Sequence, residues 1–207
     1  MAQDLDMTPA ARAAAAVLAL VGFAGLATQT GVSIGTSGSL PAALWAMLRF
    51  FTIIGNLLAM LLFAAIALGR PGAFTPRRVA GIAVIMGLIG VIYVTLLRHT
   101  EHPQGAAQVA NMLLHYAVPA LAALYWLAFA PKGYLRTDDP LRWALLPLAY
   151  LPYALLRAAL DGRYAYPFID VGQFGWMHVA LNAVGITMGF LIAGFVLVWL
   201  DRRLAGP

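Results

Sequence analysis

The sequence predicts an all-α integral membrane protein, a single domain over residues 1–207 that forms a bundle of six transmembrane helices. The chain is 62% hydrophobic and only 10% charged, whereas about a quarter of the residues in a soluble domain are charged. Six apolar runs each approach or exceed the roughly 20 residues that a membrane-spanning helix needs. With so few charges the chain cannot cover a water-facing surface, and the runs leave no room for a separate soluble domain.

The first apolar run, Ala10 to Thr28, has two interpretations. A signal peptide has a basic leading segment and a shorter apolar core. Here the leading segment holds Asp4 and Asp6 with Arg12 as its basic residue, and the run is long. We therefore expect a retained helix.

The other five runs follow in order, and two of them begin at clear helix-start signals. Ser39 and Pro41 open the second run, and Asp139-Pro140 opens the fifth. Gly185 and Gly189 in the last run have a GxxxG spacing, which predicts close helix packing without implying a dimer. The expected bounds are about Pro41–Gly69, Arg78–Leu97, Ala106–Ala130, Asp139–Arg157 and Phe174–Leu200.

The distribution of basic residues predicts the orientation, because Lys and Arg accumulate in cytoplasmic loops. The helix ends on one side of the membrane hold about three basic residues, Arg98, Arg157 and Arg163. The opposite helix ends hold about nine. Both termini are therefore expected on the cytoplasmic side of the cell (plasma or inner) membrane. The outward loops are then Gly31–Leu40, Arg98–Gly105 and Ala158–Gln173. The nine basic residues are Arg12, Arg70, Arg77, Arg78, Lys132, Arg136, Arg142, Arg202 and Arg203.

Several chemistries are excluded or disfavoured by composition. The net charge of +5 does not indicate nucleic acid, because the basic residues lie in short loops rather than on one face. The chain has no cysteine, so disulfides and thiolate chemistry are excluded. His99, Glu101 and His102 lie at a helix end without the i, i+4 spacing of a helical zinc site. We expect no metal and no cofactor.

The polar residues inside the apolar runs are the candidate site, since hydrocarbon cannot satisfy their hydrogen bonds. Thr52 lies about 11 residues after Pro41, and His115 about 10 after Gly105. At about 1.5 Å per residue, both reach roughly 15 Å into the membrane on parallel helices. Asn182 reaches a similar depth in the last run. The matched depths predict that Thr52 and His115 lie within hydrogen-bonding reach.

The neighbours of Thr52 support a site but leave alternatives open. Arg49, Thr52 and Asn56 fall at i, i+3 and i+7, on one face of a continuous helix. A membrane Thr commonly bonds its own i−4 carbonyl instead, and Arg49 can extend to the outer interface. A cation inside an apolar helix otherwise faces the protein interior or a wet cavity.

His115 has Asn111 one turn earlier on the same face and Pro119 four residues later. Pro119 cannot donate to the carbonyl of His115, so we expect a kink and a free acceptor there. A buried His is often only a structural group. His178 and Asn182, at i and i+4, either line the same cavity or tie helices together.

The outward loop Tyr164–Asp170 is aromatic, which is typical of an interfacial belt and also of a lid over a site. With Arg49–Asn56 and His115–Pro119, its segment Tyr166–Asp170 resembles the androgen-induced protein and androgen-dependent TFPI-regulating protein family, in its bacterial branch. The resemblance extends over all six runs. It implies six membrane helices and a Thr/His catalytic pair, with Thr52 and His115 at the corresponding positions. Animal members of that family hydrolyse fatty acid esters of hydroxy fatty acids.

The sequence thus predicts a lipid-ester hydrolase with Thr52 as nucleophile and His115 as base, acting on a fatty acyl ester in the bilayer. Arg49, Asn56 and Asn182 are candidate donors to the oxyanion. The imidazole is oriented by Asn111, by a backbone carbonyl, or by Asp170 from the loop. The alternative is a small membrane transporter or lipid-binding protein that uses the same polar residues to bind a ligand or relay protons.

Overall fold

The computed structural model of the protein describes residues 7–100 and 102–206. All regular secondary structure in these residues is helical, which confirms the predicted class. Glu101 lies outside the described residues. The helices are α1 (Pro9–Ser37), α2 (Leu40–Met47), α3 (Phe51–Ala67), α4 (Pro76–Ile92), α5 (Ala106–Met112), α6 (Val118–Phe129), α7 (Asp139–Asp161) and α8 (Val171–Leu204), with π turns at Tyr93–Leu97 and Leu113–Ala117 and a 3₁₀ turn at Pro167–Ile169.

Five helical segments of the described chain are long and apolar enough to cross a membrane. They are α1, α4 with its π turn, α5 through α6, α7 and α8. The pair α2 and α3 makes a sixth candidate, although its two helices are bent by 100° at their junction. The prediction of a membrane protein built from such helices is therefore confirmed at this level.

The first outward loop is shorter than predicted, because α1 continues to Ser37. The Thr30 hydroxyl donates to the carbonyl of Leu26 at 2.7 Å, so this polar residue is satisfied within the helix. Gly38, with a φ of 79°, ends α1 in the left-handed conformation that glycine adopts without a steric penalty. The expected loop over Gly31–Leu40 is wrong.

The expected continuous helix from Pro41 to Gly69 is also wrong, since the chain breaks between Met47 and Phe51. The break leaves backbone carbonyls without helical partners, which would be costly in an apolar environment. Three side chains on one face of α7 donate to them. The bonds are Arg157 to the carbonyl of Trp45 at 2.7 Å, Tyr153 to that of Leu48 at 2.9 Å and Tyr150 to that of Arg49 at 2.7 Å.

The bundle core lies between α1, α3, α4 and α6. Phe63 of α3 and Met86 of α4 are fully buried there. The last helix, α8, contacts mainly α7, α4 and the 3₁₀ turn, and most of its surface is exposed. The π turn after α5 contacts α3.

Candidate functional site

Thr52 and His115 meet in the structure, as their spacing predicts. Thr52 Oγ1 lies 3.3 Å from His115 Nε2. Because α3 begins at Phe51, Thr52 occupies the first turn of that helix rather than its middle. It is buried, with 7% of its surface exposed. The predicted contact is therefore present, but the break provides it rather than a straight helix.

The second imidazole nitrogen determines which tautomer suits this contact. His115 Nδ1 lies 3.3 Å from the backbone carbonyl oxygen of Asn111. A carbonyl oxygen can only accept, so this hydrogen bond requires the proton on Nδ1. Nε2 then has a free lone pair directed at the Thr52 hydroxyl. Of the three predicted ways to orient the imidazole, the backbone carbonyl is the one found.

A second aromatic ring fixes the plane of the imidazole. Tyr93 stacks on His115 with ring centroids 4.1 Å apart and planes at 26°. The Tyr93 hydroxyl accepts a hydrogen bond from the Asn111 side-chain amide at 2.6 Å. Asn111 thus supports His115 through both its carbonyl and its side chain.

Both members of the stacked pair lie in π turns. The helix around His115 continues through Pro119 as one span, and the amide of Val118 donates to the carbonyl of Leu113. This wider turn accommodates the proline, which lacks an N–H. The sequence predicts a kink and a free acceptor here, and the structure has a π turn at this position.

Asn56 connects the helical segments that carry Thr52 and His115. Its side-chain amide donates to the carbonyl of Thr52 at 2.8 Å and to that of Leu114 at 3.1 Å. Asn56 is fully buried. Because both amide hydrogens are used by backbone carbonyls, Asn56 does not supply the oxyanion donor that was expected of it.

Tyr166, from the loop between α7 and α8, forms the third side of the site. Its hydroxyl accepts a hydrogen bond from the backbone N–H of Thr52 at 3.3 Å and lies 3.5 Å from Thr52 Oγ1. Burial raises the pKa of the Tyr166 hydroxyl, so it keeps its proton at neutral pH. The loop therefore places a neutral hydroxyl directly beside the threonine, as the lid interpretation expected.

Arg49 is buried but is directed away from Thr52. It lies in the break, where helical spacing does not hold, and its guanidinium pairs with Asp161 of α7. Asp161 also lies 3.6 Å from the guanidinium of Arg157. Arg49 lines neither of the cavities at Thr52. The expectation that it donates to an oxyanion is therefore wrong. Its ion pair with Asp161 instead connects the break to α7.

Three further candidates lie outside the site. The His178 ring is exposed, and its Nδ1 lies 3.0 Å from the carbonyl of Phe174 one turn earlier. Asn182 is exposed and donates to the carbonyl of Phe168, which ties α8 to the loop. Asp170 caps α8 by accepting from the amide of Gln173. Asp170 therefore does not orient His115, and Asn182 is not an oxyanion donor.

Two cavities adjoin at Thr52 and Tyr166. The first, here called the polar cavity, has a volume of about 1240 Å³ including its open side. The second, here called the apolar cavity, has a volume of about 870 Å³ including its open side and is lined almost entirely by hydrocarbon. The polar cavity includes Gln29, Ser33, Thr52, Tyr93, Asn111, His115 and Tyr166, and the apolar cavity includes Thr52, Leu88, Ile92, Tyr166, Ile186 and Phe190. No carboxylate among the described residues lines either cavity.

The sequence interpretation missed the residues of α7 that support the break. Tyr150, Tyr153 and Arg157 lie at i, i+3 and i+7, so they share one helix face. That spacing of polar groups in an apolar helix was a usable signal. Tyr93 gave a weaker signal of a supporting role, since a lone tyrosine near a helix end is typical of an interfacial position.

The chain matches no model of a known protein family, no curated protein and no solved structure.

Proposed function

We propose that the protein is an intramembrane lipid-ester hydrolase in which Thr52 is the nucleophile and His115 the general base. The observation that carries the proposal is the 3.3 Å separation of Thr52 Oγ1 and His115 Nε2 where a polar and an apolar cavity adjoin. A hydroxyl is a weak nucleophile until a neighbouring base takes its proton. The resemblance to the androgen-induced protein family implies the same pair.

The proposed reaction has two steps and needs no cofactor. His115 Nε2 takes the Thr52 proton while Oγ1 bonds to the ester carbonyl carbon, and the bond to the alcohol oxygen then breaks as that oxygen takes the proton. Water next attacks the acyl-threonine and gives a proton to His115. The carboxylic acid leaves, and Thr52 regains its proton.

Charge that develops on the carbonyl oxygen needs donors, and the first turn of α3 offers them. The backbone N–H of Thr52 lies in that turn, where the helix dipole favours negative charge. Tyr166 now accepts from this N–H at 3.3 Å, so the Tyr166 oxygen must move aside when the oxyanion binds there, and its protonated hydroxyl can then donate to the same oxyanion. We propose these two groups as the oxyanion hole.

The two cavities favour an amphiphilic ester over a small soluble one. A fatty acyl chain suits the apolar cavity, while hydroxyl or carboxyl groups of the alcohol part suit the polar cavity beside Asn111 and Gln29. The substrate class is thus an ester between a fatty acid and a polar or hydroxylated lipid.

We further propose six membrane spans in the cell membrane, with both termini cytoplasmic and the broken pair α2–α3 counted as one span. The excess of basic residues at one set of helix ends supports this orientation. Since the chain has no native cysteine, single-cysteine variants report topology directly. We expect a membrane-impermeant maleimide to label R163C in intact cells, and A10C and R202C only after permeabilisation. Labelling of A10C and R202C from opposite sides would instead indicate a re-entrant α2–α3.

The catalytic proposal is tested by a fluorophosphonate probe on the purified protein in lipid nanodiscs. We expect a covalent adduct that peptide mass spectrometry locates on Thr52 and that T52A and H115A both lack. The matched control is T30A, since Thr30 is also an intramembrane threonine but bonds its own helix carbonyl. T30A should label like the wild type.

The competing function is ligand transport or lipid binding by the same cavities. In that case Thr52 is not activated, and no adduct forms although the protein binds lipid. Absence of labelling together with no release of fatty acid from any lipid ester would reject the hydrolase.

A further inference from the structure

An apolar groove runs along the outside of the bundle between α4, α6 and α8. It has a volume of about 1390 Å³ including its open side. Every residue that lines it is hydrophobic or glycine. Along α8 the lining extends from Gly185 to Leu200, about 22 Å at 1.5 Å per residue.

Three glycines keep this groove open. A Cβ added to Gly87, Gly185 or Gly189 would meet no atom within 4 Å. The GxxxG spacing of Gly185 and Gly189 therefore does not mediate close packing within the chain, contrary to the prediction. Glycine is unfavourable in a helix interior relative to alanine, so their shared effect here is to leave space.

The groove adjoins the apolar cavity at Thr52. Leu88 and Ile92 of α4 and Ile186 and Phe190 of α8 line both spaces. The apolar cavity at Thr52 and the groove are therefore neighbouring spaces with common walls on α4 and α8.

We propose that this groove, here called the α4/α8 groove, is the binding site for the long acyl chain of the substrate and its lateral entrance from the bilayer. This proposal rests on the proposed hydrolase function and adds where the acyl chain lies. The ester carbonyl sits at Thr52, the acyl chain extends through the apolar cavity into the groove, and the alcohol part occupies the polar cavity. The substrate is thus an ester of a long, unbranched fatty acid that is delivered from the membrane.

A single acyl chain suits this space better than a second copy of the protein. A helix with its side chains is about 10–12 Å across, so it can cover the groove but cannot follow it into the cavity at Thr52. The groove also lies toward the helix ends that hold Lys132 and Arg202, since Leu127 and Leu200 line it. The acyl chain therefore points to the proposed cytoplasmic leaflet, and the polar cavity opens on the opposite side.

The test is a series of fluorogenic esters of increasing acyl length, from butyrate to palmitate, measured in nanodiscs. Gly185→Leu fills the groove without a clash, because its Cβ has open space. We expect palmitate hydrolysis to fall by about tenfold or more, as expected when a pocket loses chain-binding volume, while butyrate hydrolysis stays within about twofold. Gly31→Leu, on the open side of α1, is the matched control and should leave both rates unchanged.

A second measurement separates this proposal from the hydrolase itself. A palmitate ester with a photoreactive diazirine near the chain end is crosslinked to T52A, which retains the groove, and the adduct is mapped by mass spectrometry. Adducts on Ala193 or Leu197 support the groove even if the wild type hydrolyses nothing. Equal losses for butyrate and palmitate in Gly185→Leu, adducts elsewhere, or a change only in oligomeric state would overturn the groove as an acyl site.

Discussion

The hydroxyl of Tyr166 accepts a hydrogen bond from the backbone N–H of Thr52 at 3.3 Å, across 114 residues of sequence. An element of the outward loop thereby occupies the position where a substrate carbonyl oxygen would meet the first turn of α3. The loop between α7 and α8 is thus part of the candidate site, and its tyrosine lines both the polar and the apolar cavity.

Tyr166→Phe should reduce kcat with little change in KM, because it removes a donor that matters most in the transition state. Loss of a single oxyanion donor commonly lowers kcat by about 100-fold or more. A tyrosine that binds the oxyanion together with a backbone N–H should contribute at least about tenfold to kcat. Steady-state hydrolysis of a lipid ester in nanodiscs measures this. Tyr164→Phe, in the same loop but not in the lining of either cavity, is the control. Unchanged kcat in Tyr166→Phe would remove the tyrosine from the mechanism.

Thr52→Ala and His115→Ala should each lower the rate by orders of magnitude, and the double variant should be little worse than either, because a nucleophile and its base act as a unit. Thr52→Ser should retain measurable activity, since it keeps a hydroxyl in nearly the same position. Thr52→Ala should still fold, because one intramembrane hydrogen bond contributes only about 0.6 kcal/mol on average. Single-turnover kinetics on the four variants provides the measurement. Near-normal turnover by folded Thr52→Ala would place the nucleophile elsewhere.

Asn56→Ala should lower both stability and activity. It leaves the carbonyls of Thr52 and Leu114 without their side-chain donor in a fully buried place, which costs about 1–3 kcal/mol. It also frees α3 from the π turn that carries His115, so the Thr52–His115 distance should increase. Reversible unfolding in mixed micelles measures the first effect. Asn182→Ala provides the contrast, since Asn182 is exposed and its side chain donates one hydrogen bond, to the carbonyl of Phe168; equal effects of the two changes would contradict this assignment.

Asp161→Ala should destabilise the protein by roughly 3 kcal/mol, the lower end for a buried ion pair, because Asp161 is partly exposed. It leaves the guanidinium groups of Arg49 and Arg157 without their carboxylate beside the break. Asp138→Ala removes ion pairs at the other end of α7, but these are exposed to solvent and contribute little to stability. Equilibrium unfolding of both variants measures the difference. A loss no larger than that of Asp138→Ala would show that the break does not depend on this ionic cluster.

Sequence reasoning found the helices and the central contact, but not the geometry that produces it. Hydrophobic runs and the rarity of intramembrane polar groups are strong local signals, so Thr52 and His115 were recognisable. The break at Leu48–Phe50 contains neither glycine nor proline. The break is stabilised by hydrogen bonds from Tyr150, Tyr153 and Arg157, about 100 residues away in sequence. Local helix propensity does not predict hydrogen bonds over such a sequence separation.

The same limit explains the errors about supporting residues. Arg49 was assigned to the Thr52 face because a straight helix was assumed. Gly185 and Gly189 were assigned to helix packing because the GxxxG spacing is shared by packed and open surfaces. Which of the two applies depends on where α4 and α6 lie, and that is a tertiary property.

His115 receives its orientation from the Asn111 carbonyl and not from a carboxylate, and this has an electrical consequence. In the neutral imidazole, with its proton on Nδ1, the Thr52–His115 pair carries no net charge. A full charge in the membrane interior feels the transmembrane voltage, at about 2.3 kcal/mol per 100 mV for a complete crossing. A neutral pair does not, so the proposed reaction centre in this form is insensitive to the voltage of an energised membrane.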